Sequence, residues 1–143
     1  MNIRSFLGYT SSNNLISFGL LLFRLVVGGL MLTHGIPKLM NFAELSQVFP
    51  DLLGIGSKWN LILVIFAELG CAIALIFGFL IRLSSIPLII TMLMAAFVAH
   101  ATDPLAVKEM SLLYLSIFSF FFIVGGGKFS LDGFIFKTKT SKK

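Results

Sequence analysis

The sequence predicts an all-α fold: an integral membrane four-helix bundle with both termini in the cytoplasm. Three observations carry that expectation. Hydrophobic residues make up 57% of the 143-residue chain and charged residues only 12%, with a mean hydropathy of +1.01. A soluble domain averages about 45–50% apolar and about 25% charged residues, so this composition cannot cover a soluble surface. Second, the apolar residues gather into four runs. Third, Lys and Arg fall unequally on the two sides those runs define.

The first run is Leu15–Thr33, interrupted by Ser17 and Arg24. Arg24 and the lack of a following A-x-A site argue against a signal peptide. The second run is Leu61–Ile81, with one charge at Glu68. The third, Ile86–Ala101, and the fourth, Met110–Val124, approach spanning length when their flanks are added. A helix rises about 1.5 Å per residue, and about 20 residues cross the hydrocarbon core. Expected spans are therefore about 15–34, 60–81, 84–101 and 107–124, in a single transmembrane domain over 1–143. Residues 125–143 read as a short basic cytoplasmic tail.

Between the first two runs, Asn41 and Glu44 resemble a capping pair, and Phe42, Leu45 and Phe49 recur at near-helical spacing. A short interfacial helix is expected there, with Trp59 anchoring the next span. Pro50, Gly54 and Gly56 supply a turn. Ser84 or Ser85 is expected to cap the third span, with Pro87 in its first turn. Asp103-Pro104 separates the third span from the fourth, and Gly125-Gly126-Gly127 ends the fourth.

With the N-terminus inside, Arg4, Arg82, Lys128, Lys137, Lys139, Lys142 and Lys143 lie on the cytoplasmic side. Lys38, Lys58 and Lys108 lie outside, which agrees with the positive-inside rule. The net charge of +5 is thus a topology signal rather than a nucleic-acid site. The lone Cys71 excludes an internal disulfide, a dithiol relay within the chain and a thiolate metal site.

Arg24 and Glu68 are the charges within the spans. Each costs about 2.5–3.5 kcal/mol at the middle of a membrane helix. Measured from the ends of their runs, they lie roughly 6 Å apart in depth. An Arg24–Glu68 ion pair is therefore expected, either fixing helix register or forming a polar site. Arg24, Gly28, Met31, Gly35 and Lys38 share one face of the first span. Gly28 and Gly35 are expected to admit a close neighbour, and Gly70, Ala74 and Gly78 form a small-residue packing stripe on the second span. Met92, Ala96 and Ala99 do the same on the third. At the outer ends, His34, Lys38, His100, Asp103 and Glu109 gather at one mouth. An intramembrane polar or ligand-binding site is expected from Arg24, His34, Lys38, Glu68, His100 and Glu109. A haem on the two histidines is weighed and set aside, and no metal site is expected. No Ser/His/Asp set or phosphate loop is evident.

These residues resemble the DoxX family of small membrane proteins. The resemblance rests on Arg24-x3-Gly28 followed by Thr33-His34-Gly35-x2-Lys38-Leu39, and on Ala67-Glu68-Leu69-Gly70. It continues with the Met92–His100 stretch, Glu109–Tyr114, and Gly125-Gly126-Gly127-Lys128-x-Ser130-Leu131-Asp132. Cys71 departs from the pattern, where a second Gly is common. The resemblance implies a four-helix, multi-pass protein of the bacterial inner membrane, associated with redox biology. It implies a small accessory subunit of a quinone-linked oxidoreductase complex rather than an enzyme alone. The expected partners are the bilayer, redox proteins or quinone, and further copies of the chain; no nucleic acid is expected. The alternatives are a dimeric four-helix transporter and a membrane scaffold without catalysis.

Overall fold

A computed structural model describes residues 14–137. Four helices are long and apolar enough to cross a membrane. They are α1 (Asn14–Met40), α3 (Ser57–Phe77), α4 (Ile81–Ala99) and α5 (Leu105–Val124). Two short helices, α2 (Phe42–Val48) and α6 (Leu131–Lys137), accompany them among the described residues. No strand forms among the described residues. The described chain termini and the α3–α4 turn share one end of the bundle, here the terminal end. The α1–α3 and α4–α5 connections share the other, the loop end.

The packing runs α1 against α3, α3 against α4, and α4 against α5. Leu75, Leu88, Phe118 and Phe121 are fully buried at its centre. Leucine, phenylalanine and isoleucine side chains remain exposed along every span. A soluble monomer rarely leaves so extensive an apolar surface uncovered, whereas lipid tails cover it.

α1 is 27 residues long, or about 40 Å, against a hydrocarbon core of about 30 Å. It runs past its expected end at 34 and continues through Pro37, although a proline there has no N–H to give to the Thr33 carbonyl. Asn41 then donates from its backbone and side chain to the Pro37 carbonyl (3.0 and 2.9 Å). The expected Asn41–Glu44 cap is therefore absent, although the short helix after it does form.

Glycines set the α1–α3 register. A Cβ on Gly28 would fall 2.3 Å from Ile76 Cγ1, and one on Gly35 would fall 2.8 Å from Leu69 and 3.1 Å from the Glu68 backbone. Gly35 is thus level with Glu68. Gly70 departs from its expected packing role: it is exposed and meets only Phe66 of its own helix. Phe66–Cys71 forms a π-helical turn, which adds a residue to the helical repeat and rotates the following side chains. The buried face passes instead through Ala67, Cys71, Ala72 and Leu75. Ala74 is only half-buried.

α3 ends sooner than the apolar run suggests. Gly78 adopts a left-handed conformation (φ +73°), as does Leu80 (φ +46°), which reverses the chain into α4. Neither Ser84 nor Ser85 caps α4. Their hydroxyls donate back to the carbonyls of Phe79 and Ile81. The cap comes from Asp132, whose carboxylate accepts from the Leu80 and Ile81 amides (2.8 and 3.0 Å), while its own amide donates to Gly78 O (2.9 Å).

Residues 125–137, expected as the start of a tail, are folded against the bundle instead. Gly125, Gly126, Gly127, Ser130 and Asp132 are all buried. The Lys128 amide donates to Ser17 Oγ (3.1 Å), which fastens this segment to α1. A Cβ on Gly133 would strike the carbonyl oxygens of Gly127 and Lys128 (2.8 and 2.7 Å). Lys139, Lys142 and Lys143 lie outside the described residues.

Candidate functional site

Arg24 does not meet Glu68. Arg24 is eleven positions from Gly35, the residue level with Glu68, which is about 16 Å along the axis. The expected depths were counted from the ends of the apolar runs, and those ends are not level: α1 extends beyond α3 to receive the folded 125–137 segment. Direction widens the separation. Helical side chains slant toward the N-terminus of their own helix. Arg24 on α1 therefore leans to the terminal end, and Glu68 on the antiparallel α3 leans to the loop end. Lys38, one turn beyond Gly35, leans back toward Glu68.

Lys38 Nζ accordingly donates to Glu68 Oε2 in a direct ion pair. The Glu68 side chain is 5% exposed and that of Lys38 26%. The pair borders a cavity of about 230 Å³ at the loop end. α1 contributes Met31, His34 and Lys38 to its lining. α3 contributes Glu68, and α4 contributes Met92, Ala95 and His100. α5 contributes Met110, Ser111 and Tyr114.

Local backbone irregularity positions two of these groups. Glu68 lies on the π turn of α3, and His100 closes a second π turn, Ala95–Ala99, in α4. Such turns are frequent at functional sites because they redirect side chains from the regular helical face. His100 Nδ1 is 2.7 Å from Asp103 Oδ2, which orients the ring. The His34 ring meets Tyr114 edge-on, with centroids 5.9 Å apart. Tyr114 in turn stacks on Phe118 (5.8 Å). The His34 ring, the Ser111 hydroxyl and the Tyr114 hydroxyl make no hydrogen bond among the described residues, so they are available to a ligand.

His34, Lys38, Glu68 and His100 thus come together as the sequence suggested. Glu109 does not join them. It lines a shallow groove with Leu105, Ala106, Leu112 and Leu113 on the outer face of α5. Tyr114, Ser111 and Met110 were missed, while Met31 lies on the face it was expected to share with Lys38. Tyr114 carried one signal, a phenol within an apolar span, since a buried Tyr usually finds a partner for its hydroxyl.

Arg24 belongs to a separate locus at the terminal end. It is fully buried, and Nη2 donates to the Phe129 carbonyl (2.6 Å). Nη1 has no hydrogen-bond partner among the described residues and lies where a Cβ on Gly78 would fall, 1.8 Å away. Asp132, also fully buried, is the carboxylate it faces electrostatically. Burial pushes the Asp132 carboxyl above its ordinary range, and the Ile81 and Leu80 amides and the Arg24 charge oppose that shift. This locus is filled by the chain's own groups and joins α1, α3, α4 and the 125–137 segment.

No group of three His, Cys, Asp or Glu able to hold a metal forms among the described residues. The polar cavity between four apolar helices defines the class: a small four-helix membrane protein with a polar site near one end. The DoxX family model matches residues 19–101. The chain belongs to the DoxX family. No curated protein and no solved structure matches it.

Proposed function

We propose that this protein is a small membrane subunit of a redox complex and binds the head group of a quinone in the loop-end cavity. The cavity lining carries this reading. A quinone ring needs apolar walls and donors for its two carbonyl oxygens. Met31, Met92 and Met110 supply adaptable walls. Lys38, the Tyr114 hydroxyl and the two imidazoles supply donors on different helices. At about 230 Å³ the cavity is below the roughly 300–1,000 Å³ of drug-sized sites and suits a single ring. The chain itself has no dithiol to carry electrons; it would hold the quinone beside a redox partner.

A proton-coupled transporter fits less well. Such a transporter needs a carboxylate free to exchange its partners during turnover, whereas Glu68 is engaged by Lys38 in a direct ion pair. The proposed setting is the bacterial inner membrane, with both termini cytoplasmic by the Lys/Arg asymmetry. The test is purification from native membranes in mild detergent, followed by extraction of bound quinone. Quinone should accompany the wild-type chain and be lost from Lys38→Met and Tyr114→Phe. Absence of quinone from the wild type refutes the proposal.

A further inference from the structure

We propose that His100, oriented by Asp103, must be protonated to hold the oxidised ring in the loop-end cavity but not to hold the reduced one. The inference rests on the quinone-binding reading above and names the residue that answers to the ligand's redox state. A quinone carbonyl only accepts hydrogen bonds, whereas a quinol hydroxyl both donates and accepts, like the other hydroxyls of proteins. A wall group that is an acceptor when neutral and a donor when protonated therefore suits the quinol in either state. It suits the quinone only when it carries the extra proton.

His100 is built as such a group. Its amide donates to Ala95 O (3.1 Å), which closes the π turn, and its carbonyl accepts from the Asp103 amide (3.1 Å). With Nδ1 also bonded to Asp103 Oδ2 (2.7 Å), backbone and ring are both held. An ionised carboxylate only accepts, so Nδ1 carries a hydrogen and Nε2 of the neutral ring is left as an acceptor. Nε2 makes no hydrogen bond among the described residues. The ring lines the cavity, yet its side chain is 42% exposed, so it meets both the ligand and the water at the loop end. The other ionisable groups facing the cavity are His34 and Lys38 on α1, Glu68 on α3 and Tyr114 on α5. Beside the turn, Lys108 Nζ donates to Ala101 O. Lys38 and Glu68 offset each other in their ion pair. The His34 ring rests on Tyr114 with no carboxylate to fix its tautomer, so in its neutral form it can still turn an N–H to the ligand.

The test measures binding of decylubiquinone and, separately under argon, of decylubiquinol to the full chain in nanodiscs, at about pH 5 and about pH 8, the range in which histidine titrates. Quinone affinity should fall at least about tenfold toward the alkaline end, the size of one charge-assisted hydrogen bond, while quinol affinity should stay within about threefold. His100→Gln offers an amide donor at every pH and should make quinone binding independent of pH. His34→Gln should keep the dependence. Asp103→Asn lies at an exposed position outside the spans and lets the neutral ring take either tautomer. It should shrink the dependence, and it gives a reading even if His100→Gln does not fold. Quinone binding to wild type that ignores pH, an equal change for both redox forms, or a dependence that survives His100→Gln or is untouched by Asp103→Asn overturns the assignment to His100. Failure of the wild-type chain to bind either form refutes the quinone reading itself, whereas binding without the pH dependence leaves that reading standing and removes only this inference.

Discussion

Replacing Asp132 with alanine should destabilise the whole bundle, although Asp132 lies in the short α6 after the last span. Its carboxylate accepts from the Leu80 and Ile81 amides, and both would lose their partner at the buried start of α4. An unsatisfied buried donor costs about 1–3 kcal/mol, and loss of a helix N-cap typically about 1 kcal/mol. Arg24, buried beneath, also loses the carboxylate it faces. The bond from the residue 132 amide to Gly78 O survives in the alanine variant, so the loss is partial. The expected cost is about 2–5 kcal/mol from these terms. Asp132→Asn keeps one acceptor oxygen and should lose about half as much. The assay is reversible unfolding in mixed micelles with increasing SDS, followed by circular dichroism. An Asp132→Ala variant within about 0.5 kcal/mol of wild type, the range of an ordinary surface substitution, would refute the capping argument.

Acidity should act on the same group with a definite sign. The Asp132 carboxyl is raised in the folded protein, so the native state holds its proton at a pH where the unfolded chain has released it. This contribution is fully present below the unfolded value of about 3.9 and is lost as pH rises through the folded value. Wild type should therefore gain stability relative to Asp132→Asn between pH 7 and pH 4.5, and an unchanged gap contradicts the assignment. Gly78→Ala should cost about 2–4 kcal/mol, combining the left-handed backbone penalty with overpacking against Arg24 and Ser130; a melting temperature equal to wild type counts against it. Lys38→Met should cost about 1–3 kcal/mol, less than a fully buried pair, because Lys38 is 26% exposed. Adding Glu68→Gln should recover part of that loss, so a double-mutant cycle without coupling denies the pair. Gly35→Ala should destabilise by about 1–3 kcal/mol through overpacking, whereas Gly70→Ala, on the exposed face, should be neutral or stabilising by up to about 1 kcal/mol. Equal effects at the two glycines would remove the π-turn account of why they differ.

The spans were legible because hydropathy is local and a run of apolar residues needs no partner to be recognised. Their ends were less so, since α1 continues through Pro37 and Gly78 truncates the next span, and neither outcome is declared by the residue itself. His34, Lys38 and His100 could be placed together from antiparallel alternation alone, because each sits near the same end of its helix. Glu68 reached the same cavity by a different route, through a partner the sequence did not suggest. Counting from run ends assumed that the helices begin level, and the folded 125–137 segment makes that assumption fail. The π turns that redirect Glu68 and displace Gly70 leave no local signature, since a shift from i−4 to i−5 bonding is decided by packing. Asp132 was hidden for a related reason: its receiving amides lie 52 and 51 residues earlier, beyond any capping pattern read along the chain.

That separation has a consequence for how the molecule is made. Synthesis proceeds from the N-terminus, so α1 to α5 leave the ribosome before the residue that caps α4. Until Asp132 arrives, Leu80 is held in its left-handed turn without the carboxylate that receives its amide, and the Arg24 guanidinium has no facing anion. A nascent chain stopped just short of 132 would insert its spans yet leave their turn unfastened and exposed to membrane proteases. The start of α4 thus waits for its cap on a residue made about fifty positions later, and the α3–α4 turn is fastened only when the 125–137 segment folds back onto it.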